Sequence, residues 1–165
     1  MQRQIIFGDQ TATLTFAKSL ARDLRPGDSI LLSGPVGAGK SVLARCLIQT
    51  LQANAGVPVE EVPSPTFTLV QTYDAGGIEV WHADLYRLGD VDELRELGLD
   101  EAFSTAICLV EWPELLAEAR PASALSITLA PDPQDAGRRV ATLVATDTRW
   151  SGLFARGRGL AGADR

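Results

Sequence analysis

Apolar side chains keep two rhythms along this chain. Short unbroken runs, Ser29-Ile30-Leu31-Leu32 and Ala106-Ile107-Cys108-Leu109-Val110, have the length of buried strands. Elsewhere the apolar positions recur every three or four residues. Leu14, Ala17, Ala21 and Leu24 mark the inner face of one helix, and Val42, Leu43, Cys46, Leu47 and Leu51 that of a second. Ile5–Phe7 predicts a further short strand, and Asp9 or Thr11 would cap the first helix. Thr68–Tyr73 and Ile78–Ala83 predict strands joined as a hairpin through Asp74-Ala75-Gly76-Gly77. Asp92–Leu97 predicts a short helix stopped at Gly98, and Pro113 opens another that Pro121 closes. Ala124–Leu129 and Val140–Ala145 predict strands around a loop at Pro131–Arg138. Together these elements imply an α/β fold: one domain over residues 1–148, its largely parallel sheet flanked by helices and carrying an antiparallel hairpin. A C-terminal tail, 149–165, would be helical or flexible.

Between the first buried run and the second helix lies Gly34-Pro35-Val36-Gly37-Ala38-Gly39-Lys40-Ser41, which matches the phosphate-binding pattern G-x-x-x-x-G-K-[ST]. Gly34, Gly37 and Gly39 let the backbone curl until successive N–H groups face inward as a nest for phosphate oxygens. Lys40 would place its charge on the β- and γ-phosphates and Ser41 its hydroxyl on Mg²⁺. A helix starting near Lys40 adds the positive end of its dipole. A chance match is the alternative. The order strand, glycine-rich loop, helix is the context that argues against it and makes this a P-loop NTPase domain.

Composition narrows the setting. The chain has 165 residues, with 45% of them hydrophobic, enough for one domain with a real core. Its net charge of −6 makes it a poor candidate for gripping nucleic acid through its overall field. Arg149, Arg156, Arg158 and Arg165 gather near the C-terminus, where such clusters are usually solvated. Cys46 and Cys108 both sit in apolar patterns and suit a reducing compartment as buried small hydrophobes. The N-terminal apolar stretch is too short for a secretory signal and no segment has membrane-spanning length, so a cytoplasmic location is expected.

A P-loop ATPase needs an acid at the end of a neighbouring strand to hold Mg²⁺ opposite the loop hydroxyl. Glu111 follows Ile107-Cys108-Leu109-Val110, and Asp84 ends Ile78-Glu79-Val80-Trp81-His82-Ala83. Ligands of open α/β sheets gather at strand C-termini, so either carboxylate could face the phosphates. A helix cap or an exposed strand end is the alternative for each. The single asparagine, Asn54, precedes Ala55, so the guanine-reading Asn-Lys-x-Asp segment is absent and ATP is favoured. His82 is the only histidine, which argues against a His-based metal site and leaves a structural or orienting role.

Four motifs then follow in order: Gly37-Ala38-Gly39-Lys40-Ser41, Ser64-Pro65-Thr66-Phe67-Thr68-Leu69-Val70, His82-Ala83-Asp84-Leu85-Tyr86-Arg87-Leu88 and Glu111-Trp112-Pro113-Glu114. From about Asp9 to about Leu129 the chain resembles the TsaE family, the small ATPase of bacterial tRNA threonylcarbamoyladenosine biosynthesis. The resemblance implies that Gly37, Ala38, Gly39, Lys40, Ser41 and Val42 wrap the phosphates of ATP, and that Ser41 and Glu111 coordinate Mg²⁺. It places Thr66 and Asp84 in a switch-like region near the γ-phosphate, with Asp84 a candidate for orienting the attacking water, and Asp9 at the edge of the nucleotide. Trp112 would shape the nucleotide or partner surface. The remaining pocket residues fall somewhere in Gln134–Arg139. Ser41 stands where the family usually has Thr, which keeps the hydroxyl. Pro35 replaces a common Asp.

The family's partners are TsaB and TsaD, with tRNA engaged indirectly and no membrane involved. The resemblance implies slow hydrolysis alone and faster hydrolysis inside that complex. Two other readings remain open: a P-loop kinase of a small metabolite, for which Arg138-Arg139 is too little of an arginine lid, and a nucleotide-binding adaptor that never turns over.

Overall fold

The computed structural model describes residues 1–156. Seven strands form one sheet: β1 (Gln2–Phe7), β2 (Ser29–Ser33), β3 (Val70–Ala75), β4 (Ile78–Asp84), β5 (Ile107–Glu111), β6 (Leu125–Asp132) and β7 (Asp135–Val144). Their order is β1-β7-β6-β2-β5-β4-β3. The central strands β6, β2, β5 and β4 are parallel, while β3 and β7 run against them and β1 runs against β7. The parallel centre is thus framed by two hairpins, β3–β4 and β6–β7.

Side-chain alternation sorts the core into two layers. Ile30, Leu32, Val80, Ile107 and Leu109 pack on one face, with α1 (Gln10–Ala21) and α2 (Lys40–Ala55). Leu31, Ala83, Cys108 and Val110 point to the other, covered by α3 (Asp92–Leu97), α4 (Leu99–Thr105) and a 3₁₀ segment, Pro113–Ala119. Period two along each strand makes this division. It also puts His82 and Asp84 on the same side as Val80, and Glu111 on the same side as Leu109, both facing α2.

Local signals explain most boundaries. Asp9 caps α1, its Oδ1 accepting from Ala12 N at 2.9 Å. Gly56, at φ 71°, ends α2 in a left-handed cap. Gly98, at φ 77°, closes α3 and opens α4 at once; α4 was not expected from sequence. The first hairpin is shifted from expectation. Gly76 and Gly77 (φ 69° and 89°) form its two-residue turn. Pairing therefore includes Asp74 and Ala75 and begins only at Val70, since Leu69 is left-handed (φ 65°) and its N–H bonds to Pro65 O. The expected loop at 131–138 is mostly strand, with a tight turn at Pro133-Gln134. On α1 the buried stripe is Phe16, Ala17, Leu20 and Ala21, whereas Leu14 is 37% exposed.

The chain past 148 is not a solvated tail where it is described. A 3₁₀ turn, Thr148–Trp150, leads into α5 (Ser151–Ala155). Trp150 is fully buried, its Nε1 donating to Ser123 O at 2.7 Å. Arg149 Nε donates to the buried Asp28 Oδ1 at 3.0 Å, and Arg156 pairs with Asp23. A buried carboxylate needs a charged partner, and Asp28 draws Arg149 inward. Arg158 and Arg165 lie outside the described residues. Among the described residues no helix is long and apolar enough to cross a membrane.

Candidate active site

The loop after β2 is built by its glycines. Gly34, Gly37 and Gly39 have φ of 138°, 78° and 103°, a region open to glycine and costly for other residues. At Gly34 the reason is also close packing, since a Cβ there would stand 2.2 Å from Leu129 O. The loop thus wedges against β6 before α2 begins at Lys40.

Two clefts flank it. The first, about 390 Å³, is lined by Gly37, Gly39, Lys40, Ser41 and Val42 on one side and by Ser64, Thr66, Asp84, Tyr86, Glu111 and Trp112 on the other. The second, about 280 Å³, lies over Gly37, Ala38, Gly39 and Val42, and adds Asp9, Gln10 and Thr13 from the start of α1 with Gly137 and Arg139 from β7. Gly34 and Pro35 line neither; the part of Gly34 is to let the backbone pass Leu129. Asp9, Thr66, Asp84 and Glu111, distant in sequence, all converge on these clefts.

The polar contacts in the first cleft form two short chains, one through Glu111 and one through Asp84. Ser41 Oγ donates to Glu111 Oε1 at 2.8 Å. His82 Nε2 lies 2.6 Å from Glu111 Oε2. Thr66 Oγ1 is 2.8 Å from Ser64 Oγ and donates to Asp84 Oδ2 at 3.4 Å, while Asp84 Oδ1 accepts from Tyr86 N at 3.0 Å. Glu111 and Asp84 are both buried, at paired positions on β5 and β4.

Lys40 Nζ donates to Gly34 O at 2.5 Å and Pro35 O at 2.9 Å, and stands 4.1 Å from the centroid of the Trp112 ring. Burial lowers the pKa of this amine, opposed by the negative fields of Glu111, Asp84 and Glu114. Trp112 is itself left-handed (φ 55°) and its ring meets Tyr86 at 4.9 Å. The left-handed Leu69 and Trp112 therefore border this one site: Leu69 O accepts from Asp84 N, and Trp112 covers Lys40. Backbone held in such regions persists only where its surroundings over-determine it.

The donor set suits Mg²⁺. The ion takes oxygen ligands, keeps several waters, and accepts one or two protein groups beside phosphate. Neighbouring oxygens of an octahedron with bonds near 2.1 Å are about 3 Å apart, close to the Ser41–Glu111 separation of 2.8 Å. Ser41 and Glu111 would hold such an ion. Among the described residues no cluster of three His, Cys, Asp or Glu side chains competes with that arrangement.

Sequence reasoning left out several cleft residues. Tyr86 had a signal, lying two residues beyond Asp84. Arg139 was covered only by the broad stretch Gln134–Arg139 that the resemblance implies: the β6–β7 register carries it over the loop, where its Nη2 donates to Gly37 O at 3.4 Å. Arg138 instead sits 3.8 Å from Asp132.

Comparison with known proteins gives the chain a family. The family model "Threonylcarbamoyl adenosine biosynthesis protein TsaE" matches residues 7–140. A tRNA threonylcarbamoyladenosine biosynthesis protein TsaE from Rickettsia bellii is 35% identical over 129 residues, 78% of this chain and 87% of that protein. The protein of the same name from Bacillus subtilis is 38% identical over 118 residues, 71% of this chain and 70% of its own. The crystal structure of Bacillus subtilis YdiB superposes with a TM-score of 0.74 at 28% identity, covering 93% of this chain and 92% of that one. The loop, the carboxylates across from it and these matches together make the chain a member of the TsaE family of tRNA threonylcarbamoyladenosine biosynthesis proteins.

Proposed function

We propose that this chain is a Mg²⁺-dependent ATPase that works with TsaB and TsaD in forming threonylcarbamoyladenosine at tRNA position 37. The observation that carries the reading is the 2.8 Å contact between the Ser41 hydroxyl and the Glu111 carboxylate, at the mouth of a glycine loop of the right pattern. Bound there, Mg²⁺ would neutralise charge on the β- and γ-phosphates. The loop N–H groups from Gly37 to Val42 cradle the phosphates, and Lys40 exchanges its carbonyl contacts for phosphate oxygens. Asp84, steadied by Thr66 and the Tyr86 N–H, accepts a hydrogen bond from water and aims its oxygen at the γ-phosphorus. The water oxygen bonds to phosphorus as the bond to the β–γ bridging oxygen breaks; one water proton stays on the new phosphate, the other passes to a phosphate oxygen or to solvent, and ADP and inorganic phosphate are released. Asp9 and Arg139 border the second cleft, where the nucleoside end fits.

Turnover by the isolated chain is slow on this reading, because phosphoryl transfer depends on complete positioning and the first cleft is open to a partner. The acidic net charge fits contact with proteins rather than an unaided grip on tRNA. A metabolite kinase is less well supported: Arg87 stacks on Phe67, 4.4 Å from the ring, and Arg138 faces Asp132, which leaves Arg139 as the one of these arginines over the loop.

The test is phosphate release from ATP by the purified chain, with and without TsaB–TsaD and with Mg²⁺ supplied or chelated. Stimulated, metal-dependent release is expected, whereas a phosphorylated metabolite from cell extract would favour the kinase. Lys40→Ala should abolish ATP binding with the fold retained. Glu111→Ala should lower Mg²⁺-dependent turnover on the order of a hundredfold, far more than Glu114→Ala. Equal effects would mean that the metal is held elsewhere.

A further inference from the structure

Beside the metal-facing carboxylate lies a group the mechanism above does not use. His82 is fully buried on β4, with its backbone paired to Gln71 of β3 and Leu109 of β5. Strand alternation turns its ring to the α2 face. There Nε2 meets Glu111 Oε2 at 2.6 Å, while Nδ1 has no hydrogen-bond partner among the described residues. A carboxylate can only accept, so Nε2 carries the hydrogen and donates it. We infer that His82 is a positioning residue for Mg²⁺: its Nε2–H holds Glu111 Oε2, so that Oε1 alone is presented beside the Ser41 hydroxyl. The inference rests on the metal-dependent reading proposed above.

Three observations support it. Both oxygens of Glu111 are engaged, one from α2 and one from β4, so the plane of the carboxylate is clamped between two elements. The strut is rigid, since β4 is paired on both sides. A buried ring with an unpartnered nitrogen is also a poor choice for packing alone, because leaving a buried polar atom unsatisfied is costly. An apolar side chain would fill the same space without that cost, but would leave Glu111 Oε2 buried without its donor. Mg²⁺ demands near-ideal octahedral geometry, and a carboxylate free to rotate could offer both oxygens or turn away. Removing such outer partners typically weakens metal affinity by about 10- to 100-fold.

The experiment titrates Mn²⁺ into the ADP-bound protein, following free Mn²⁺ by electron paramagnetic resonance, for native, His82→Leu and His82→Gln chains. ADP affinity in chelator and thermal unfolding are measured alongside. The expected pattern is Mn²⁺ affinity about 10- to 100-fold weaker in His82→Leu and largely restored in His82→Gln, whose amide can donate at similar reach. Metal-free ADP affinity should be unchanged, and the unfolding temperature of His82→Leu should fall, because Glu111 Oε2 is left buried without its donor. Native-like Mn²⁺ affinity in His82→Leu overturns the inference, as does an equal loss of metal-free ADP binding. If His82→Leu does not fold, His82→Asn replaces it: its shorter amide should fall short of Glu111 and bind Mn²⁺ more weakly than His82→Gln, and equality of the two overturns the inference. Failure of the native chain to bind Mn²⁺ with ADP would instead sink the metal-dependent reading itself.

Discussion

Lys40 is held in place by groups of its own loop and by one aromatic ring. Its ammonium sits on two carbonyls of its own loop and under an indole, contacts that offset burial of the charge. Those carbonyls are in place because Gly34 lets the chain pass Leu129. Gly34→Ala should therefore do more than add a methyl group. Strain at φ 138° and a 2.2 Å clash with backbone act together, and a loss of about 3 kcal/mol or more is expected in urea unfolding. The two thiols offer a different test. Burial pushes Cys108 up to about 12, with Glu79 adding to the shift, so it stays a neutral thiol in the folded state. Burial also raises Cys46, opposed by Arg45, but that side chain is only half-buried. A disulfide exchange reagent at pH 8 should label at most one thiol of the native chain, Cys46, and both after unfolding. Rapid native labelling of Cys108 would mean that the β5 core opens readily.

At the scale of elements, α1 joins stability to the site. Asp9 caps it and also borders the second cleft, so its two roles can be separated. Asp9→Ala should cost about 1 kcal/mol of stability and weaken ADP binding. Asp9→Asn keeps a good cap and should restore stability; if the carboxylate itself meets the nucleotide, affinity stays low. Equal recovery of both would reduce Asp9 to a cap. The same scale shows why legibility was uneven. The glycine loop, the Asp9 cap and the stop at Gly98 were legible because each is a contiguous signal about local φ/ψ. The hairpin offset at 70–75 and the strand extensions into 131–139 were less so, since register depends on which turn closes the pair. Helix α4 escaped notice because Gly98 ends one helix and starts another, and only the first reading was drawn from it.

For the whole molecule, the described C-terminal residues matter at the end of the sheet away from the clefts. Asp28 stands just before β2, and the loop at Gly34 just after it, so the Arg149–Asp28 pair and Trp150 lock the opposite edge. Trp150→Ala should lower stability by about 3–5 kcal/mol in guanidine unfolding. A change near zero would restore the solvated tail expected from composition. Sequence alone determined the glycine-loop pattern, the α/β class and the family, because these reside in short runs whose glycines, charges and apolar spacing constrain their own backbone. Tertiary structure decided the pairings across the sheet: His82 against Glu111, Arg139 over Gly37, and Arg149 onto Asp28. Each joins residues 29 to 121 positions apart. Such contacts arise only when strand order and register are set by burial of the whole core, and no local run of residues encodes that choice.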